Sequence, residues 1–175
     1  MSNESRYRLP DPVKAELMRW WHTLSSPHPS GSARADRAVL RRAASLDEVA
    51  CSPAYQRLYR TLAAAHTGDG WRPYEQERLA ALVGLAAHVK TSSTRSLPQA
   101  MSDKADGSDR NPVSELRFAR LLDSPDTEAL YTGLRRCLPL MQHQVSVPSL
   151  ADDVFGWGDF VKKQWAYAYA WPRKD

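Results

Sequence analysis

Arginine is the residue type whose spacing in this chain could do chemistry. On a helix, Arg34, Arg37 and Arg41 fall within an arc of about 60° at roughly 100° per residue, and Arg42 flanks them. A row of guanidinium forks suits bidentate contact with successive phosphates. Residues 32–42 hold these four arginines against Asp36 alone, so +3 of the chain's formal +4 sits there. Charges gathered in this way focus potential far better than the same charges dispersed. The plainer reading is an exposed amphipathic face that only keeps the protein soluble. A second basic set comprises Arg110, Arg117, Arg120, Arg135, Arg136, Lys162 and Lys163. Arg117 and Arg120 are i, i+3 neighbours and can share a face. For these the plainer reading is pairing with Glu115, Asp123, Asp126 and Glu128. Trp157, Trp165 and Trp171 could stack on unpaired bases, although helical spacing favours a core or subunit-contact role for them.

Other chemistries find no support. His22, His28, His66, His88 and His143 form neither an H-x3-H nor an H-E-x-x-H pair, and neither cysteine has a C-x-x-C partner. Asp152 and Asp153 are adjacent, so on a helix they diverge by about 100° and do not converge on one ion; a solvated first turn is the expectation for them. No G-x-S-x-G, P-loop or glycine-rich phosphate turn occurs. No metal and no cofactor is expected, and no catalytic residue is nominated.

The elements that must position the arginines read as helices almost throughout. Asp11-Pro12 opens the first, with Val13, Leu17, Trp20, Trp21 and Leu24 as one apolar stripe. Pro27, Pro29 and Gly31 break it, the basic helix covers 33–43, and a short one follows Ser45. Ser52-Pro53 starts the next, with Gly68 expected as its C-cap. Pro73 starts another, with Leu79, Leu82, Val83, Ala86 and Val89 inward. A short piece lies around Leu97–Met101, and 102–110, rich in Ser, Asp and Gly, reads as a mobile loop. Asn111-Pro112 and Ser124-Pro125 are read as two further helix starts, Pro148 enters another, and the last runs from about Asp159 to Trp171. The fold class is all-α, a bundle of about eight or nine helices. A seam near 91–97 divides it into an N-terminal sub-bundle, 1–95, and a C-terminal one, 96–175.

At 175 residues the chain can bury a core without metal or disulfide help. Its 42% apolar and 25% charged content is that of a globular protein. No apolar run approaches the ~20 residues of a bilayer span, and the first thirty residues, with Glu4, Asp11 and Glu16, lack the apolar stretch of a signal peptide. A cytoplasmic protein without membrane contact is expected. Cys51 and Cys137 leave a bridge open, but two reduced, mostly buried thiols are the expectation in that compartment.

The order of the pieces carries a resemblance. Ala38-Val39-Leu40-Arg41-Arg42-Ala43 is followed by Ser52-Pro53-Ala54-Tyr55. Later come Val113-Ser114-Glu115-Leu116-Arg117-Phe118-Ala119-Arg120-Leu121-Leu122 and Leu134-Arg135-Arg136-Cys137-Leu138, then Trp157, Lys162, Lys163 and Trp165. Together they resemble the CasB family, the small subunit of the type I-E CRISPR effector complex Cascade, over nearly the whole chain. The resemblance implies an all-helical, non-enzymatic subunit, present as two copies beside the backbone subunits that hold the crRNA and near the large subunit. It also implies support of target DNA and of the displaced non-target single strand once an R-loop opens. Arg41 and Arg42 match the family's basic pair, Arg117 and Arg120 its Ser-Glu-x-Arg-Phe stretch, and Arg135-Arg136 its double arginine. Arg34, Arg37, Arg110, Lys162 and Lys163 are added from spacing alone. Three other readings stand beside this one: a structural adaptor whose arginines pair with protein carboxylates, a helix-turn-helix regulator, and a hydrolase without a visible motif. The His66–Pro73 break, which holds Gly68, Gly70 and Trp71, is too long for the tight turn of a helix-turn-helix.

Overall fold

The computed structural model describes residues 8–175; Glu4, used above, lies outside them. The described residues form ten α-helices and one pair of two-residue strands. In chain order these are α1 Asp11–Ser25, α2 Gly31–Arg42, α3 Leu46–Ala50, α4 Pro53–Ala65, α5 Pro73–Ala86, β1 Thr91–Ser92, α6 Leu97–Ser102 and α7 Glu115–Leu122. They continue with α8 Thr127–Cys137, a 3-10 turn Leu138–Met141, β2 Gln144–Val145, α9 Val147–Phe155 and α10 Asp159–Ala168.

Serine starts most of the helices. Ser30, Ser45, Ser52, Ser96, Ser114 and Ser146 each accept a hydrogen bond from the backbone N–H three residues on, as does Asp126. Each such cap stabilises its helix by about 1 kcal/mol. Several expected boundaries move for this reason. Ser114, not Asn111, caps α7, because the Asn111 amide instead donates to Tyr169 Oη (3.1 Å) and the Ala170 carbonyl (2.9 Å). Asp126, not Ser124, caps α8. Pro10 precedes α1, and Asp11 sits in its first turn. α4 ends at Ala65 with His66 as its C-cap rather than Gly68, since the His66 ring stacks on Trp71 at 4.8 Å. α10 stops at Ala168, because Tyr169 turns inward to stack on Phe118 at 4.0 Å and donate to the Val113 carbonyl at 2.7 Å.

α5 is the central element. Every residue from Leu79 to Val89 is buried, and α5 packs against α3, α8 and α9, while α1 packs on α4. A helix apolar all round belongs in a core. Gly84 permits the crossing: a Cβ there would lie 2.9 Å from Tyr131 Cε2 and 3.0 Å from Val49 Cγ2. Tyr131 continues past it and donates to the Ala43 carbonyl at 2.7 Å, which ties α8 to the end of α2. The apolar core runs from Leu9 to Tyr169 across both halves of the chain. The division into sub-bundles 1–95 and 96–175 within this shared core stays a proposal, which limited proteolysis near 91–97 tests.

The strand pair is the one departure from helices among the described residues. β1 and β2 run parallel, with Thr91 opposite Gln144 and Ser92 opposite Val145. Two residues are too few to leave an alternating pattern in a sequence. Their effect on position is large, because they hold the end of α5 beside the turn that precedes α9.

Candidate nucleic-acid interface

The basic helix α2 keeps its charge because its one carboxylate faces elsewhere. Asp36 accepts from Arg57 of α4 at 2.6 Å. Among the described residues, none of the eleven basic residues singled out from sequence has a carboxylate within 4 Å. Of the four carboxylates expected to neutralise the second set, Asp126 and Glu128 are occupied by backbone. Asp126 caps α8, and Glu128 accepts from the Leu46 N–H at 3.1 Å, at the start of α3.

Two clusters result. The first gathers α2, the end of α5, the β1–β2 pair and α8. Arg135 donates from Nη2 to the Arg41 carbonyl (3.0 Å) and from Nε to His88 Nε2 (3.4 Å). An imidazole nitrogen that accepts a hydrogen bond is unprotonated. Burial, then Arg135, Arg41, His143 and Arg37, push His88 down to about 4, so the ring is neutral. His143 Nδ1 donates to the His88 carbonyl at 2.9 Å. Its ring is also held below the usual histidine range, by burial first and then by Lys90, Arg41 and Arg37. Arg37 is half-buried and reaches the Ala87 (3.3 Å) and Leu24 (3.4 Å) carbonyls, closing the ends of α5 and α1. Part of its role is therefore to join helices. Arg34 and Arg42 stay exposed on α2.

The second cluster lines a groove of about 890 Å3 between α7 and α8, where Arg117, Arg120 and Arg136 meet. Gly133 allows the close approach, since a Cβ there would stand 2.7 Å from Leu121 Cδ2. Cys137 lies in the groove wall, its thiol pushed up to about 11 by burial despite Arg117. It is inert as a nucleophile at neutral pH. Cys51 and Cys137 are both free thiols, but Cys51 is exposed rather than buried as expected. Arg135 and Arg136, adjacent on α8, diverge by about 100° and so serve different clusters.

The remaining residues neither line the groove nor join the hydrogen-bonded network around His88. Arg110 is exposed at the end of the 103–110 loop, and Lys163 is exposed on α10. Lys162 lies over the Trp157 ring at 5.9 Å. Trp157 and Trp165 are core residues, whereas Trp171 is 44% exposed and packs edge-on against Phe118 and Tyr169. Asp152 and Asp153 are not a solvated first turn, because α9 opens well before them, at Val147. Asp152 pairs with Lys14 at 2.8 Å, and Asp153 accepts from Trp165 Nε1 at 2.9 Å. Burial pushes Asp153 up to about 6. No group of three or more potential metal ligands occurs among the described residues, and none of their helices is long and apolar enough to cross a membrane.

His88, Lys90 and His143 are the cluster members that sequence spacing misses. They are brought together by the pairing of residues 91–92 with residues 144–145, and no local pattern encodes that.

The sequence matches the family model for CRISPR-associated protein Cse2 over residues 36–169. The chain belongs to the Cse2 family. Solved structures agree in fold with this Cse2-family chain. A CRISPR-associated protein of the Cse2 family from Thermus thermophilus is similar at 25% identity and a TM-score of 0.64, over 97% of this chain and 98% of that one. A structure of CasB from Thermus thermophilus is similar at 24% identity and 0.62, over the same shares. A chain in the crystal structure of E. coli Cascade bound to a PAM-containing double-stranded DNA target is similar at 21% identity and 0.63, over 87% of this chain and 92% of that one. Among curated protein sequences none matches the chain.

Proposed function

We propose that this chain is a non-catalytic subunit of a Cascade complex that holds nucleic-acid backbone without reading sequence. Membership of the Cse2 family, and likeness to a chain of a DNA-bound Cascade, support the assembly. The observation that carries the strand-holding role is the absence, among the described residues, of a carboxylate within 4 Å of any arginine in either cluster. An adaptor whose arginines pair with carboxylates of its own chain would neutralise them internally. Here Arg34, Arg42, Arg117, Arg120 and Arg136 are exposed, while Arg135 and Arg37 are half-buried and fixed on backbone carbonyls.

Phosphate contacts position a strand and carry no sequence information, which suits a subunit that accepts any target while base pairing with crRNA supplies specificity. Exchange of a DNA duplex for an RNA–DNA hybrid is nearly balanced, so backbone contacts worth a few kcal/mol decide whether the R-loop stays open. The target strand and the displaced non-target strand are the proposed ligands. The backbone subunits, the large subunit and a second copy of the chain are the proposed neighbours, in the cytoplasm.

Salt titration on unstructured single-stranded DNA tests the reading. With about five phosphates engaged, log affinity falls against log salt with a slope near −3.5. A flat titration overturns it. An adaptor reading has one observation of its own, the exposed apolar side chains Leu116, Phe160 and Tyr167, the last 92% exposed. It predicts that Tyr167→Ser weakens complex assembly while leaving strand binding unchanged.

A further inference from the structure

Resting on the strand-holding role, the geometry points to a phosphodiester site made by His143, Lys90, Arg37 and Arg41, whose filling is coupled to uptake of one proton by the His143 imidazole. The ring is positioned by an unusual backbone. Gln142 and His143 both have φ of 57°, the left-handed region that costs non-glycine residues about 1 kcal/mol or more each. Hydrogen bonds from Gln142 N–H to the Pro139 carbonyl (3.1 Å) and from His143 N–H to the Leu138 carbonyl (2.9 Å) hold that conformation. The His143 carbonyl in turn accepts from the Lys90 N–H at 2.9 Å, which brings the lysine to the same edge. With Nδ1 engaged on the His88 carbonyl, Nε2 is the one ring nitrogen left to meet a ligand.

The groups around this ring all have one sign. Arg37 of α2 sits on the Ala87 carbonyl next to His88, the Arg41 carbonyl holds Arg135, Lys90 is bonded through its N–H to the His143 carbonyl, and Arg135 stands behind His88 from α8. In the free protein burial first, and then Lys90, Arg41 and Arg37, hold the imidazole below the usual histidine range. A phosphate oxygen at their centre reverses the balance, since an anion beside the ring favours its charged form. The imidazolium then donates from Nε2, adding a charge-assisted hydrogen bond that exists only when a strand is present. His88 does not follow, because its Nε2 already accepts from Arg135.

The sign of the linkage is fixed. A group whose pKa is higher in the complex than in the free protein strengthens binding as pH falls through the bound value, and the gain levels off below the free value. The experiment measures affinity of the whole chain for a labelled oligothymidylate at constant ionic strength, between about pH 8 and about pH 5.5. Parallel NMR titration of the His143 ring is made with and without the oligonucleotide. Wild type is expected to tighten by ~3- to 10-fold toward low pH, with the ring pKa rising by about one unit on binding. His143→Asn, which tolerates the left-handed backbone and keeps an amide donor, is expected to lose most of that gain. His28→Asn, at an exposed histidine outside the cluster, keeps it. Tight but pH-independent binding with an unmoved ring pKa overturns this inference and leaves strand holding intact. No binding at any pH in low salt overturns both. The NMR arm uses the unmutated protein, so a misfolded variant does not rescue the inference.

Discussion

The two basic clusters are built on opposite plans. Around His88 the guanidinium groups are anchored: Arg135 grips the Arg41 carbonyl, Arg37 the ends of α1 and α5, and a neutral histidine completes the network. Between α7 and α8 they are loose, exposed side chains around an open groove, with Gly133 and Cys137 beneath. Anchoring lowers the entropy lost when a phosphate is gripped, and it makes the first cluster part of the fold as well as part of the surface. Binding and stability should therefore be coupled in one region and separable in the other.

Arg135→Ala gives the largest effect. It removes a charged donor from two acceptors in the half-buried junction of α2, α5 and α8, so urea midpoints should show a loss on the order of 2 kcal/mol, with strand affinity falling alongside. Unchanged stability would erase the contrast between the clusters. A comparable effect is expected from Asp153, which lies in neither. Its folded pKa is raised to about 6 from 3.8, so its contribution to stability is full below the unfolded value and is lost as pH rises through about 6. Asp153→Asn keeps an acceptor for Trp165 Nε1, and should stabilise the protein at pH 7.5 by about 1–2 kcal/mol while flattening the stability profile between about pH 4 and about pH 7. His88 runs the other way, since its lowered pKa gives stability above about 6.5 that is lost as pH falls toward 4.

Next in size is Arg41→Ala with Arg42→Ala, expected to reduce the salt slope by about 1.4 and to weaken unrelated sequences alike; a loss confined to one sequence would count against backbone recognition. In the loose cluster, Arg117→Ala, Arg120→Ala or Arg136→Ala should each lower the slope by about 0.7 with unfolding midpoints unchanged. The smallest effect is expected of Gly133→Ala. Its Cβ meets only the end of the Leu121 side chain, so a cost of about 1 kcal/mol and a narrower groove, with slightly weaker binding, are the expected result.

How much of this was legible in the sequence follows from the range of each interaction. The helices were, because apolar periodicity and Ser-capped starts are local; Ser52, Ser45 and Pro73 mark α4, α3 and α5 directly. Boundaries set by distant partners were not. Asn111 leaves its expected cap to bond Tyr169, and His66 ends α4 because Trp71 lies across the following turn. In the candidate site, the α2 stripe was readable from spacing, and Arg117 with Arg120 from theirs. That Arg37 would half-bury itself on the ends of two other helices was not readable, nor that adjacent Arg135 and Arg136 would divide between clusters. His88 and His143 looked unrelated because the strand pair that joins them is two residues long.

That strand pair also bears on biosynthesis. Arg37, His88, Arg135 and His143 come from far-separated points along the chain, and the pairing of Thr91 with Gln144 is what places the last of them. Contacts so distant in sequence form late. A nascent polypeptide released only as far as Cys137 would carry most of the arginines but lack the clasp that assembles them. The anchored face would thus be completed only when nearly the whole polypeptide has emerged from the ribosome.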